Sequence, residues 1–193
     1  SDFPVNRGTA AMIGAACAVA SFFGDPAPYC VVAGDIGMRT GSRLVYRHLI
    51  KYFPKFDADV AALHYIVPDI GLHNQMLTAV RKAKTKTCLI ADAGFMYVAK
   101  ASGQAKFYDL FLPDIGELAF LADDKAAHPA YTRGFLTKLE DQPQELIQKA
   151  YAGNNAARFL CVKGRVDYVC DNGEVSDTID NPVIEALEPI GGT

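Results

Sequence analysis

The chain has 193 residues, half of them hydrophobic, and a formal net charge of −3. That is one domain's worth of sequence with ample material for a core, and its small, interspersed charge argues against a nucleic-acid-binding surface. Five cysteines without a Cys-x-x-Cys pair point away from a zinc site or disulfide framework and lead us to expect buried, reduced thiols in a cytoplasmic protein.

The longest apolar stretch, residues 10–23, is too short to span a bilayer. Its Ala and Gly content predicts a helix buried by close packing, and no membrane partner is expected. Residues 29–33 predict a first strand, followed by a glycine-rich loop over 34–42. Residues 44–53 have helical spacing and stop before Pro54. A second strand is expected over 60–66, closed by Pro68-Asp69, then a helix over 72–84 whose last turn holds the basic run 81–86. A third strand over 87–91 ends at Asp92 and leads into a helix through Ala101. A fourth, over 108–112, is closed by Pro113-Asp114 and leads into a helix from Ile115 to Ala122. Residues 123–141 read as irregular or broken helix, and Pro143 suits the first turn of a helix through Ala152. A strand over 158–163 ends in Lys163-Gly164, and a hairpin follows over 167–175.

Continuous apolar strands alternating with helices predict an α/β fold, with a mostly parallel central sheet and helices on both faces, as one domain over 1–193. In such a sheet ligands bind at the carboxyl edge. That edge collects Gly34, Asp35, Asp69, Asp92, Asp114, Lys163 and Gly164. Each alone is an ordinary turn residue; their repetition at one edge points to a site. His64 reads as a mid-strand core or face residue, and the four histidines lack metal-ligand spacing.

The order of these motifs resembles the ribokinase-like superfamily, nearest to its NAD(P)H-hydrate dehydratase and carbohydrate-kinase-like branch. Residues 31–42 resemble its first strand and glycine-rich substrate loop, and 66–71 stand where it has a Gly-Pro-Gly-like turn. Residues 89–93 resemble a strand ending in Asp-Ala-Asp, with Gly94 where the second acid would be. Pro113-Asp114 to Glu117 is similar to a Thr-Pro-x-x-x-Glu turn, Lys163-Gly164 to a strand end, and 181–193 to the approach to an anion hole.

The resemblance implies that Lys163, Gly164, Asp114, Gly191, Gly192 and Thr193 face nucleotide phosphates. Gly34, Asp35, Gly37, Asp92 and Glu117 would lie on the substrate or magnesium side. It places the catalytic aspartate beyond Thr193 and so leads us to expect that the C-terminal part of the domain is missing. Magnesium would arrive with ATP or ADP rather than in a dedicated protein site. The implied activity is dehydration of hydrated NAD(P)H by phosphorylation of a hydroxyl followed by elimination. The alternatives are a small-molecule kinase for a carbohydrate or vitamin precursor, and a degenerate nucleotide binder without turnover, which Gly94 favours. The partners expected are a small-molecule substrate, a nucleotide and a second copy of the chain, since a bare sheet face would associate.

Overall fold

The computed structural model describes residues 8–126 and 143–180. Among them six strands form one sheet in the order β1-β2-β3-β4-β5-β6. They are β1 (Val60–Leu63), β2 (Cys88–Ala91), β3 (Leu110–Phe111), β4 (Phe159–Val162), β5 (Asp167–Asp171) and β6 (Glu174–Ile179). β1 to β4 are parallel, and β5 and β6 return antiparallel as a hairpin. The helices are α1 (Thr9–Phe23), α2 (Thr40–Tyr52), α3 (Ile70–Val80), α4 (Gly94–Ala101), α5 (Ile115–Ala122) and α6 (Pro143–Ala152). This is the mostly parallel α/β sheet with helices that the sequence alternation predicts.

Register explains the core. Leu63, Ala91, Phe111 and Leu160 are successive ladder partners, and with Leu89, Val162 and Cys170 they form one buried face. Burying a Leu- or Phe-sized side chain contributes about 1.5–3 kcal/mol. Beside the sheet, α2 packs on α3 and α5 on α6. The alternate positions Val60, Ala62, Cys88, Ile90, Leu110, Phe159 and Cys161 are half-buried or exposed.

Local chemistry sets the helix starts. Asp69 caps α3 by accepting from the Leu72 amide at 3.1 Å. Asp114 and Glu117 form a complete capping box on α5. The buried Lys100 of α4 donates to the carbonyls of Phe120, Asp123 and Ala126, and its ammonium lies 4.0 Å from the centroid of the Phe120 ring. It thereby fixes the end of α5 against α4. The β5–β6 turn uses Asn172 (φ 50°) and Gly173 (φ 94°), both left-handed as a two-residue hairpin turn requires.

Several expectations need correction. α1 forms where helix was expected, yet none of its residues is buried, and Val19, Phe22 and Phe23 are exposed. Its apolar residues surround the helix and single out no stripe for a neighbour. Residues 29–33 are not a strand. Half-buried Val31 and Ala33 alternate with exposed Val32, but among the described residues this segment makes no ladder bonds and β1 has only β2 as a strand neighbour. β1 stops at Leu63 because Tyr65 turns to φ 42°. β3 has two residues rather than five. α3 ends at Val80, so the basic run follows the helix rather than occupying its last turn. Of the cysteines, only Cys170 is buried; Cys17 and Cys30 are exposed, and all five are free thiols. Most of the expected irregular stretch, and the approach to Gly191, Gly192 and Thr193, lie outside the described residues.

Candidate functional site

The four parallel strands deliver their following residues to one edge. β1 presents His64 and Tyr65, β2 presents Asp92 and Ala93, β3 leads to Pro113-Asp114, and β4 ends at Lys163. Asp114 and Lys163 form an isolated parallel bridge, with the Lys163 amide donating to the Pro113 carbonyl at 2.8 Å. Adjacent strands in parallel register must bring such residues together.

The Asp92 carboxylate is shared. Its Oδ1 lies 3.4 Å from Lys163 Nζ and its Oδ2 lies 3.5 Å from His64 Nε2. Both contacts are loose, longer than a good charge-assisted hydrogen bond. Oδ1 also accepts from the Ala93 amide at 3.0 Å. On the other side of the imidazole, His64 Nδ1 is 2.9 Å from the Thr9 hydroxyl. Burial lowers the His64 pKa, the Asp92 charge raises it, and Lys163 lowers it again. A neutral imidazole beside an acceptor carboxylate carries its proton on Nε2, so Thr9 donates to Nδ1.

Backbone strain brackets this cluster. Tyr65 has φ 42°, and Ala93 has φ 48° and ψ −126°, a region that side-chain-bearing residues rarely adopt. Next to it, a Cβ on Gly94 would lie 2.0 Å from the Ile66 carbonyl oxygen. The position that resembles a lost acid is therefore one that close backbone packing reserves for glycine.

A second cluster sits one strand along. Tyr97 of α4 donates to Glu117 Oε1 at 2.6 Å, and Glu117 Oε2 accepts from the Asp114 amide at 3.0 Å. Asp114 Oδ1 in turn accepts from the Glu117 amide at 2.7 Å. Burial first, then the Asp114 charge, pushes the Glu117 carboxyl up to about 7, against the lowering effect of its hydrogen bonds. Asp92 also raises it, which places both clusters in one electrostatic field. Glu117 is thus poised to change charge near neutral pH.

The loop over 34–42 is held by its own aspartate. Asp35 Oδ1 accepts from the amides of Gly37 and Arg39, and Oδ2 from the Ser42 amide and hydroxyl at 2.8 and 2.7 Å. These bonds lower the Asp35 pKa, the Ser42 amide most. Ser42 Oγ also accepts from the Val67 amide at 3.0 Å, fastening the loop to the segment after β1. A Cβ on Gly41 would lie 2.1 Å from the Gly34 carbonyl oxygen, so the loop closes on itself there. The Gly164 amide likewise serves its own turn, donating to Asp167 at 2.9 Å.

The structure thus joins Asp92 to Lys163, and Asp114 to Glu117, on neighbouring strand ends. It gathers Gly34, Asp35 and Gly37 into a separate braced loop. Gly191, Gly192 and Thr193 lie outside the described residues. His64 and Tyr97 are additions. His64 follows β1 instead of sitting inside a strand, and that position was the available signal. Among the described residues, no three His, Cys, Asp or Glu side chains converge as a metal site. No helix there is long and apolar enough to cross a membrane.

No family model matches the chain. The uncharacterized protein MJ1337 of Methanocaldococcus jannaschii is 39% identical over 183 residues, spanning 94% of this chain and 74% of that protein. Among solved structures, the last common ancestor of HMPPK and PLK/HMPPK vitamin kinases is similar with a TM-score of 0.50 at 12% identity. That likeness covers 91% of this chain and 80% of the other and shows the fold, which is ribokinase-like.

Proposed function

We propose a function for this chain from one premise: it belongs to the same family as the M. jannaschii protein, and its fold is ribokinase-like. On this reading it is a small-molecule kinase that transfers a phosphoryl group from ATP or ADP to a substrate hydroxyl. The observation that carries the reading is the loosely held Lys163–Asp92 pair at the carboxyl edge of the sheet. A lysine so placed can leave its carboxylate for a nucleotide phosphate, as a compact and flexible point charge does. Phosphoryl transfer depends mainly on positioning and on neutralising developing charge.

The other residues have supporting roles. Asp114 and Glu117 supply hard oxygen atoms beside the phosphates, suited to a magnesium ion only as it arrives with nucleotide. Bound magnesium would neutralise phosphate charge. The capping box holds Glu117 in place, and Tyr97 fixes its carboxyl orientation. The braced loop over 34–42 faces the substrate, with Gly34 and Gly37 allowing close approach and Asp35 keeping its shape. Gly191, Gly192 and Thr193 complete the reading as an anion cradle of backbone amides.

The vitamin-kinase likeness supports a reaction that stops at the phosphorylated alcohol over phosphorylation followed by elimination. The test is ADP release from ATP, or AMP release from ADP, across a panel of vitamin-precursor and sugar alcohols, with hydrated NADH alongside. Transfer to a panel alcohol that Lys163→Met and Gly192→Val both abolish is the expected result. NADH absorbance appearing from the hydrate alone would return the reading to the dehydratase. Nucleotide binding without turnover in any arm would leave the binder.

A further inference from the structure

We propose that His64 is a positioning residue that takes over the Asp92 carboxylate when Lys163 moves to an anion. This rests on the reading of Lys163 as the phosphate-binding cation. Among the described residues, Asp92 has two ion-pair partners, one on each oxygen: Lys163 at 3.4 Å and His64 at 3.5 Å. When Lys163 swings towards a phosphate, Oδ1 keeps the Ala93 amide and Oδ2 faces the imidazole. A half-buried carboxylate left beside an incoming phosphate opposes binding by repulsion and by its own desolvation. A donor on Oδ2 relieves the second of these directly.

The surroundings are built to hold that donor. The His64 side chain is 9% exposed, whereas those of Lys163 and Asp92 are 24% and 22% exposed, so the imidazole is the most buried of the three. Thr9 Oγ, at 2.9 Å from Nδ1, accounts for the far nitrogen and leaves the Nε2 proton facing Asp92. The Tyr65 ring packs edge-on to the imidazole, with centroids 5.0 Å apart. The left-handed conformation of Tyr65 ends β1 and lets His64 sit at the edge instead of within the ladder. The loose 3.5 Å contact then shortens as Asp92 relaxes away from Lys163.

The test uses ADP and inorganic phosphate as probes, titrated calorimetrically into the full chain. His64→Leu should weaken ADP binding about tenfold, as truncating the partner of a charged group does. His64→Gln, which keeps an N–H donor, should stay within about threefold of wild type. Asp92→Asn should bind ADP at least as well as wild type, and His64→Leu should add no further loss in that background, because its effect runs through the carboxylate. If His64→Leu fails to fold by circular dichroism, Thr9→Val supplies the same comparison, with a smaller loss that Asp92→Asn again erases. Equal ADP affinity in wild type and His64→Leu would overturn the proposal and leave the phosphate site standing. So would an equal loss with and without Asp92. A wild-type chain that binds neither probe, with Lys163→Met indistinguishable from it, would overturn the phosphate site and the role of His64 together.

Discussion

Two histidine clusters in this protein make opposite use of the same side chain. In the core, His73 is fully buried: Nε2 lies 2.8 Å from the Tyr108 hydroxyl and Nδ1 lies 3.1 Å from Ser102 Oγ. The Ser102 hydroxyl donates to the Ala99 carbonyl at 3.2 Å, so Nδ1 is the donor and Tyr108 donates to Nε2. The polar side-chain atoms of His73, Tyr108 and Ser102 all have partners, and burial drives the His73 pKa down to about 4. At the sheet edge, His64 faces a carboxylate at 3.5 Å that a lysine shares at 3.4 Å, with strained residues on both sides. A closed network of short bonds rigidifies a core. An open cluster of long, charged contacts can rearrange for a ligand at little cost.

The largest effect should come where the edge meets the core. Gly94→Asp would restore the acid of the resembling motif but drive Cβ into the Ile66 carbonyl, so about 3 kcal/mol or more of stability should be lost. Denaturant titration checks this, and a stable Gly94→Asp with enhanced turnover would refute the packing account. Next comes the closed network. His73→Leu strands the buried Tyr108 hydroxyl and should cost about 2 kcal/mol of stability, with ADP affinity unchanged. Altered ADP affinity with unaltered stability would mean that the two clusters had been assigned the wrong way round.

At the open cluster the pattern should invert. Lys163→Met should leave the thermal midpoint within about 2 °C of wild type, since partly exposed ion pairs contribute little. Its ADP affinity should fall at least about tenfold, near 1.4 kcal/mol. Calorimetry beside a thermal scan separates the two readouts.

The smallest effect is on pH dependence. The folded pKa of Glu117 is raised from 4.5 to about 7, so its stabilising contribution is full below 4.5 and is lost as pH rises through 7. His73 has a folded pKa lowered from 6.5 to about 4, so its contribution is present above 6.5 and is lost as pH falls through 4. Glu117→Gln should therefore remove a decline of a few °C in thermal midpoint between pH 5 and pH 8, while His73→Leu should remove a decline on the acid side. A decline on the alkaline side that survives in Glu117→Gln would assign it to another group.

Much of this architecture was legible in the chain. The apolar runs at 88–91 and 159–162, alternating with stretches of helical spacing, read as strands of a mostly parallel sheet, and they are β2 and β4. Asp69 and Asp114 stand where helix starts need side-chain acceptors, and Asn172-Gly173 where a two-residue hairpin needs left-handed residues. With those strands parallel, Asp92, Asp114 and Lys163 had to share one edge, so the residues that gather there could be named from the sequence. These are local rules, satisfied within a few residues of sequence.

Tertiary structure decided what local rules leave open. Residues 29–33 have strand composition, but a strand requires ladder bonds to a neighbour, and the segment makes none among the described residues. α1 is apolar on every side, so composition alone favoured burial, yet its contacts leave it largely exposed. The pairing of His64 with Asp92 spans 28 positions of sequence and depends on adjacent parallel strands ending in register, with Tyr65 and Ala93 held in strained backbone. The need for glycine at 94 comes from the Ile66 backbone rather than from any neighbour in the chain. Local propensity and periodicity are read along the sequence, whereas distances between strand ends and the strain they sustain exist only once the sheet has formed.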